Sequence, residues 1–421
     1  MTVTEKKSRI ESLARSARMV MRMVQGRPQT PKSDIIYYRM LADYYTRILN
    51  APAQGRPVVA HTVFFPAEIL YAMDIVPMHT EGTTWFSALF LGNTGDMLAA
   101  GAEQGLGPEV CSAHRALAGG FANGTLSRPD AVLWSNLVCD NTAKSGELLE
   151  KINRCPGYFL DHPFQRSADE ERYLVAELAD LIRFLEERTG RRLDMDRLSE
   201  TVTRIDREIR LLREIADLRK AVPSPFGPMS FLKLVGVDYM FTGQPEAIEY
   251  LEAVRDELAQ MVSQGKGCLP AERFRLMLLF IPPLYLHGAI EKILAQFGAV
   301  MVTEPYFTAW PEVSLDPSRP LESVARKCYA NPPMRMYQPL DDSIIRFFTE
   351  SGREYRIDGA VNFAHVACRH TCATVKLFKD EFNRIDVPLL NLDCDILDPT
   401  STTEDDMRAR FEQFFEMLED R

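Results

Sequence analysis

From Arg56 onward, short and nearly unbroken apolar runs alternate with segments whose apolar residues recur at helical spacing. RPVVAHTVFF reads as a strand, PAEILYAMD as a helix and IVPMHTE as a second strand. After Cys111 the rhythm resumes with a helix in SAHRALAGGFANG, a strand in AVLWSNLVCD, a helix in NTAKSGELLEKIN and a strand in PGYFLDHPF. Strands without polar alternation, separated by helices, predict a parallel sheet covered on both faces.

Between about Asp169 and Gln264 the pattern changes to long charged helices such as ERYLVAELADLIRFLEERTG and MDRLSETVTRIDREIRLLREIADLRK, whose Arg-rich faces are expected in solvent. The first rhythm returns from Arg273, with strands expected in RLMLLFIPP, AVMVTEP, YRIDGAVNFAHVAC and VPLLNLDCD. In TTEDDMRARFEQFFEMLED, Thr402 and Thr403 precede acidic residues, a capped C-terminal helix. The expected fold is α/β: two Rossmann-like domains with doubly wound parallel sheets, a helical middle segment and N-terminal helices. The boundaries read as an N-terminal helical segment at 1–50, a first α/β domain at 51–168, the helical segment at 169–268 and a second α/β domain at 269–421.

Composition narrows the function. A net charge of −10 argues against a broad basic face, so nucleic acid is not an expected partner. A local basic pocket for a phosphorylated or CoA-linked substrate stays open. The start of the chain is an amphipathic helix without the apolar core of a signal peptide, and no run reaches the ~18 uncharged apolar residues of a membrane helix. A cytoplasmic protein with no membrane partner is expected. In that reducing compartment the eight cysteines are core, ligand or nucleophile rather than disulfides. Neither GxxxxGK[ST] nor a strand-linked GxGxxG occurs, so if the chemistry needs ATP, another protein handles it.

Three cysteines stand in comparable places: Cys111 before a helix, Cys139 at the end of AVLWSNLV and Cys368 at the end of AVNFAHVA. Ligands gather at the carboxyl ends of strands in open α/β sheets, so distant thiols can converge there on a soft metal or cluster. Buried cysteine is equally an ordinary core filler, and no CxxC run decides the matter. Cys372, one helical turn after Cys368, and Cys394, in LDCD, are secondary ligand candidates. Glu68 follows Pro66 at a helix start, where a carboxylate serves the dipole or, at the mouth of the sheet, gives and takes protons. His61 and Thr62 lie nearby. Asp393, Asp395 and Asp398 read first as loop structure and second as a site wall.

Taken together, FPAEILYAMDIVP, then EVCSAHR, SNLVCDNT and AHVACRHTC in that order, and LDCDILDPT near the end, resemble the 2-hydroxyacyl-CoA dehydratase and benzoyl-CoA reductase family from about residue 56 onward. Pro66, Glu68, Ala72 and Pro77 carry the first motif, and Asp74 departs from it, standing where the family usually has glycine, so the local turn is expected to differ. The resemblance implies a [4Fe–4S] cluster on Cys111, Cys139 and Cys368 with one iron left open. It also implies Glu68 as catalytic acid or base, an acyl-CoA substrate, a homologous second subunit in a heterodimer or a homodimer, and a separate ATP-hydrolysing iron–sulfur activator whose electron makes a ketyl radical. An [8Fe–9S] double cubane reducing small molecules, with Cys372 or Cys394 as further ligands, and a non-catalytic electron-relay subunit share the same plan.

Overall fold

The computed structural model, which describes residues 3–337 and 342–421, places a strand in each of the apolar runs. The first four, β1 (Val58–His61), β2 (Val76–His79), β3 (Ala131–Ser135) and β4 (Gly157–Leu160), form a parallel sheet in the order β2-β1-β3-β4. The second four, β5 (Phe274–Leu278), β6 (Ala299–Thr303), β7 (Gly359–His365) and β8 (Leu389–Cys394), form another in the equivalent order β6-β5-β7-β8. Two parallel sheets of the same topology, interleaved with helices, fit two Rossmann-like halves. Every residue of β1, β2, β3, β5, β6 and β7 is buried, which is why these strands read as continuous apolar runs. The partly exposed β4 and β8 each close one edge of a sheet.

In each sheet the chain goes from the first strand to one side and then crosses back to the other. A crevice therefore opens at the carboxyl ends between β1 and β3, and between β5 and β7. The helices that end in this region are tightly seated. Helix Ser112–Ala122 packs on helix Thr94–Glu103 so closely that a Cβ at Gly119 would lie 1.8 Å from the Met97 carbonyl oxygen, and one at Gly101 2.2 Å from that of Arg115. Helix Asp140–Asn153 lies on β3, where a Cβ at Gly146 would stand 2.1 Å from the Trp134 ring. Glycine at these positions sets the helix depth through the absence of a side chain.

The helices between residues 168 and 263 pack against the first half rather than standing apart. Leu174, Leu178, Leu181 and Leu185 of helix Ala168–Thr189, on one helical stripe, bury against Ile69 and Leu133 on one face of the first sheet. Val324 and Cys328 of helix Pro320–Ala330 join that cluster, so the second half reaches back across the first. Helix Met195–Leu218 shows its Arg residues to solvent as expected, but Arg219 at its end is 1% exposed and pairs at 2.7 Å with Glu304, just after β6. No described helix is long and apolar enough to cross a membrane.

Asp74 takes a φ of +56°, the left-handed conformation glycine adopts freely. Asp74 thus takes here a backbone conformation that a glycine would adopt without strain. The carboxylate of Asp74 is held by Arg56 at 2.9 Å and Arg191 at 3.1 Å.

Candidate active site

Cys111, Cys139 and Cys368 line one cavity of about 240 Å³ between the two halves. None of them ends a strand. β3 stops at Ser135 and β7 at His365, and each cysteine instead occupies the N-cap position of a helix: Cys111 before Ser112–Ala122, Cys139 before Asp140–Asn153, Cys368 before Arg369–Ala373. Helix N-termini present unpaired N–H groups and a positive dipole end, which favour a thiolate. Burial opposes this in the bare chain: it pushes the Cys111 thiol up to about 12, and the neighbouring Cys368 thiol and Asp395 add to the rise. The amides of Ala113 and His114 act the other way. Among the described residues no three His, Cys, Asp or Glu side chains are placed to share a single metal ion, so the thiols ring a space rather than a point.

The surroundings fix these cysteines from both halves. His114 lies 3.6 Å by Nε2 from the Cys139 sulfur, and its Nδ1 is 2.8 Å from Ser145 Oγ. Ser112, adjacent to Cys111, donates to Asp395 in the loop after β8, and that carboxylate also accepts from the amides of Leu397 at 2.9 Å and Asp398 at 2.8 Å. The acidic cluster is therefore loop structure that clamps the Cys111 helix. Val138, which precedes Cys139, and Phe64 both line the cavity and both have positive φ, +67° and +65°, conformations that cost a β-branched or bulky residue strain.

Of the remaining thiols, Cys372 is exposed with its sulfur 3.3 Å from the His365 carbonyl, and Cys394 is buried 3.5 Å from His365 Nδ1; neither lines the cavity. Cys328 is core, and Cys155 and Cys268 pack at its margin.

Glu68 is fully buried and does not line the cavity. Its Oε2 is 3.1 Å from Lys327 Nζ, which also donates to Thr242 at 2.8 Å. Asp238 and Glu208 complete this buried group. Burial raises Asp238 to about 6 against the opposing pull of Lys327 and Trp310, and pushes Glu208, with help from Asp238, well above the carboxylate range. A small adjoining void shares Phe64 and Tyr239 with the main cavity, so the Glu68–Lys327 pair stands one layer behind the wall.

The carboxylate in the cavity wall is Glu81, two residues beyond β2. Its Oε2 accepts from the Val63 amide at 2.9 Å and the Thr80 hydroxyl at 2.7 Å, while Oε1 is buried with no partner among the described residues. Burial raises its pKa to about 7. His79 faces it at 3.9 Å, and burial together with His61 holds that imidazole well below its usual range, hence neutral. Sequence reasoning passed over Glu81, although it stands closer to a strand end than Glu68 does. His61 and Thr62 are buried and lie outside the lining.

Residues 62–418 match the family model for the 2-hydroxyglutaryl-CoA dehydratase D-component. The (R)-2-hydroxyisocaproyl-CoA dehydratase alpha subunit of Clostridioides difficile is 24% identical over 407 residues, 92% of this chain and 96% of the relative. A benzoyl-CoA reductase subunit of Thauera aromatica is 24% identical over 416 residues, 91% and 93% of the two chains. The alpha subunit of the (R)-2-hydroxyglutaryl-CoA dehydratase of Acidaminococcus fermentans is 26% identical over 163 residues, 38% of this chain and 34% of the relative.

Proposed function

Because the chain belongs to the 2-hydroxyglutaryl-CoA dehydratase D-component family, we propose that it is the iron–sulfur subunit of an enzyme that dehydrates a 2-hydroxyacyl-CoA or reduces a benzoyl-CoA-type thioester. The observation that carries this reading is the convergence of Cys111, Cys139 and Cys368, from three separate helix starts, on one cavity. Three soft donors, each at the positive end of a helix, suit a [4Fe–4S] cluster with one iron free of protein ligands. Such a cluster, when bound, supplies a Lewis acid and a one-electron relay.

The chain's own residues do the rest. Phe64, Trp85 and Tyr239 keep the cavity dry. Glu81, with Oε1 unpaired, holds or takes the proton that leaves the substrate carbon. Glu68, which the resemblance marks as acid or base, is fixed by Lys327 behind that wall, and comparing Glu81→Gln with Glu68→Gln decides which of the two carries the proton. A homologous second subunit and a separate ATP-dependent activator belong to the same proposal.

The test is iron and acid-labile sulfide per chain after anaerobic purification, for the wild type and for Cys111→Ala, Cys139→Ala and Cys368→Ala. About four irons, lost in each variant, support one cubane; about eight, lost also in Cys372→Ala and Cys394→Ala, turn the reading to a double cubane. No iron after reconstitution overturns the cluster. A spectral change on adding acyl-CoA separates a substrate-binding subunit from an electron relay.

A further inference from the structure

Cys139 has an imidazole beside its sulfur. His114 Nε2 lies 3.6 Å from Sγ, within hydrogen-bond reach of so large an atom, and both residues line the cavity. The ring is held at its other end, where Nδ1 stands 2.8 Å from Ser145 Oγ. His114 and Ser145 are buried, the first on helix Ser112–Ala122 and the second on helix Asp140–Asn153. Cys111 and Cys139 cap these two helices, so one imidazole joins the starts of both. With both ring nitrogens engaged, it is a neighbour of a ligand and is not itself presented to a metal.

The direction of the hydrogen bond follows from the sulfur. A thiolate that holds a metal has no hydrogen to give, so the contact is attractive when Nε2 carries one. Ser145 suits this arrangement, because its hydroxyl can donate to Nδ1 and leave the ring hydrogen on Nε2. Groups placed in this way behind a ligand orient it and adjust the metal beyond it. An N–H that draws electron density from a cysteine sulfur stabilises the more negative, reduced state of an iron–sulfur centre, and so raises its reduction potential.

Resting on the cluster reading above, we infer that His114 is a positioning residue that tunes the cluster: its Nε2–H donates to the Cys139 thiolate, Ser145 fixes the ring for that task, and reduction becomes easier. The imidazole acts through the sulfur. Burial of both partners strengthens the effect, since no water competes for the thiolate at that point.

The experiment is an anaerobic redox titration of the purified protein, with any subunit that copurifies, read by electron paramagnetic resonance without turnover. The signal that Cys139→Ala removes belongs to this chain, and iron per chain checks that each variant is loaded. His114→Phe keeps a flat ring and removes the N–H. Its reduction equilibrium shifts about tenfold toward the oxidised form, which is about 59 mV for a one-electron couple. His114→Gln, whose amide N–H can reach the sulfur, recovers most of that shift, and Ser145→Ala moves the potential the same way by a smaller amount. Equal potentials for wild type and His114→Phe overturn the inference and leave the cluster standing. Equal shifts for His114→Phe and His114→Gln also overturn it, since the ring then acts by packing. Where His114→Phe holds no iron, Ser145→Ala decides, and an unchanged potential there overturns the inference. A wild type without iron, or a signal that Cys139→Ala leaves intact, overturns the cluster reading itself.

Discussion

The hydroxyl of Ser112 donates a hydrogen bond to the carboxylate of Asp395, across 283 residues of chain. Ser112 follows Cys111, and Asp395 belongs to the loop leaving β8, so the first cysteine is tied to the half of the molecule that carries Cys368. The bond is buried, and the same carboxylate serves the Leu397 and Asp398 amides.

Asp395→Ala leaves that hydroxyl and the Asp398 amide without an acceptor, whereas the Leu397 amide keeps Ser112 Oγ at 3.0 Å, and the cost is about 2–3 kcal/mol. Ser112→Ala removes one partner and costs about 1 kcal/mol. Urea denaturation measures both. Under the cluster proposed above, iron per chain falls with Asp395→Ala in the same preparations, because the Cys111 helix loses its clamp.

Lys327 faces Glu68, Asp238 and Glu208 inside the protein. Burial opposes its charge, and Glu68 and Asp238 more than offset that, so its ammonium titrates above the usual lysine range. Lys327→Met therefore strands carboxylates in a dry site and destabilises by about 3–5 kcal/mol at pH 7.5. The deficit shrinks as pH falls and those carboxyls take up protons. Glu68→Gln is milder, since Lys327 keeps Asp238 and Thr242. A deficit independent of pH would show that the lysine acts through packing alone.

Glu81 titrates near 7 in the folded chain against 4.5 as its ordinary value. The folded state holds the proton more tightly, so the stability this group contributes is complete below about pH 4.5 and is lost as pH rises through 7. Glutamine cannot ionise. Relative to wild type, Glu81→Gln gains about 2 kcal/mol between pH 5 and pH 8, since neutral His79 provides no charge to offset the carboxylate. Parallel stability curves for the two proteins would place the Glu81 carboxylate in a solvent-like setting.

At Asp74, alanine removes the ion pairs with Arg56 and Arg191 and keeps the positive φ, whereas glycine removes the pairs and the strain together. Asp74→Ala is the less stable variant by about 1 kcal/mol. Differential scanning calorimetry resolves this, and equal melting points would mean that the turn adjusts.

The strands were legible because parallel strands covered on both faces leave a plain apolar run, as in AVLWS and AVMVT. The capped last helix was legible for a local reason also: Thr403 accepts from the Asp406 amide as its sequence suggests. The site was legible only in part. Cys111, Cys139 and Cys368 could be picked out as a set, and Cys111 was placed before its helix, but the helix-start positions of Cys139 and Cys368 depend on where β3 and β7 stop. The partner of Glu68 lies 259 residues away, and no local pattern announces Lys327. Glu81 was obscured because a glutamate in the first turn of a helix has an ordinary electrostatic reason to be there.

The clamp between Ser112 and Asp395 also has a meaning in time. Cys111 and Cys139 leave the ribosome long before Cys368, and the loop that holds the Cys111 helix is made later still. A growing chain thus carries two of its three cavity thiols through most of its synthesis with nothing to gather them. Once the fold closes around them, burial raises the Cys111 thiol and so favours its protonated form, the one least open to oxidation.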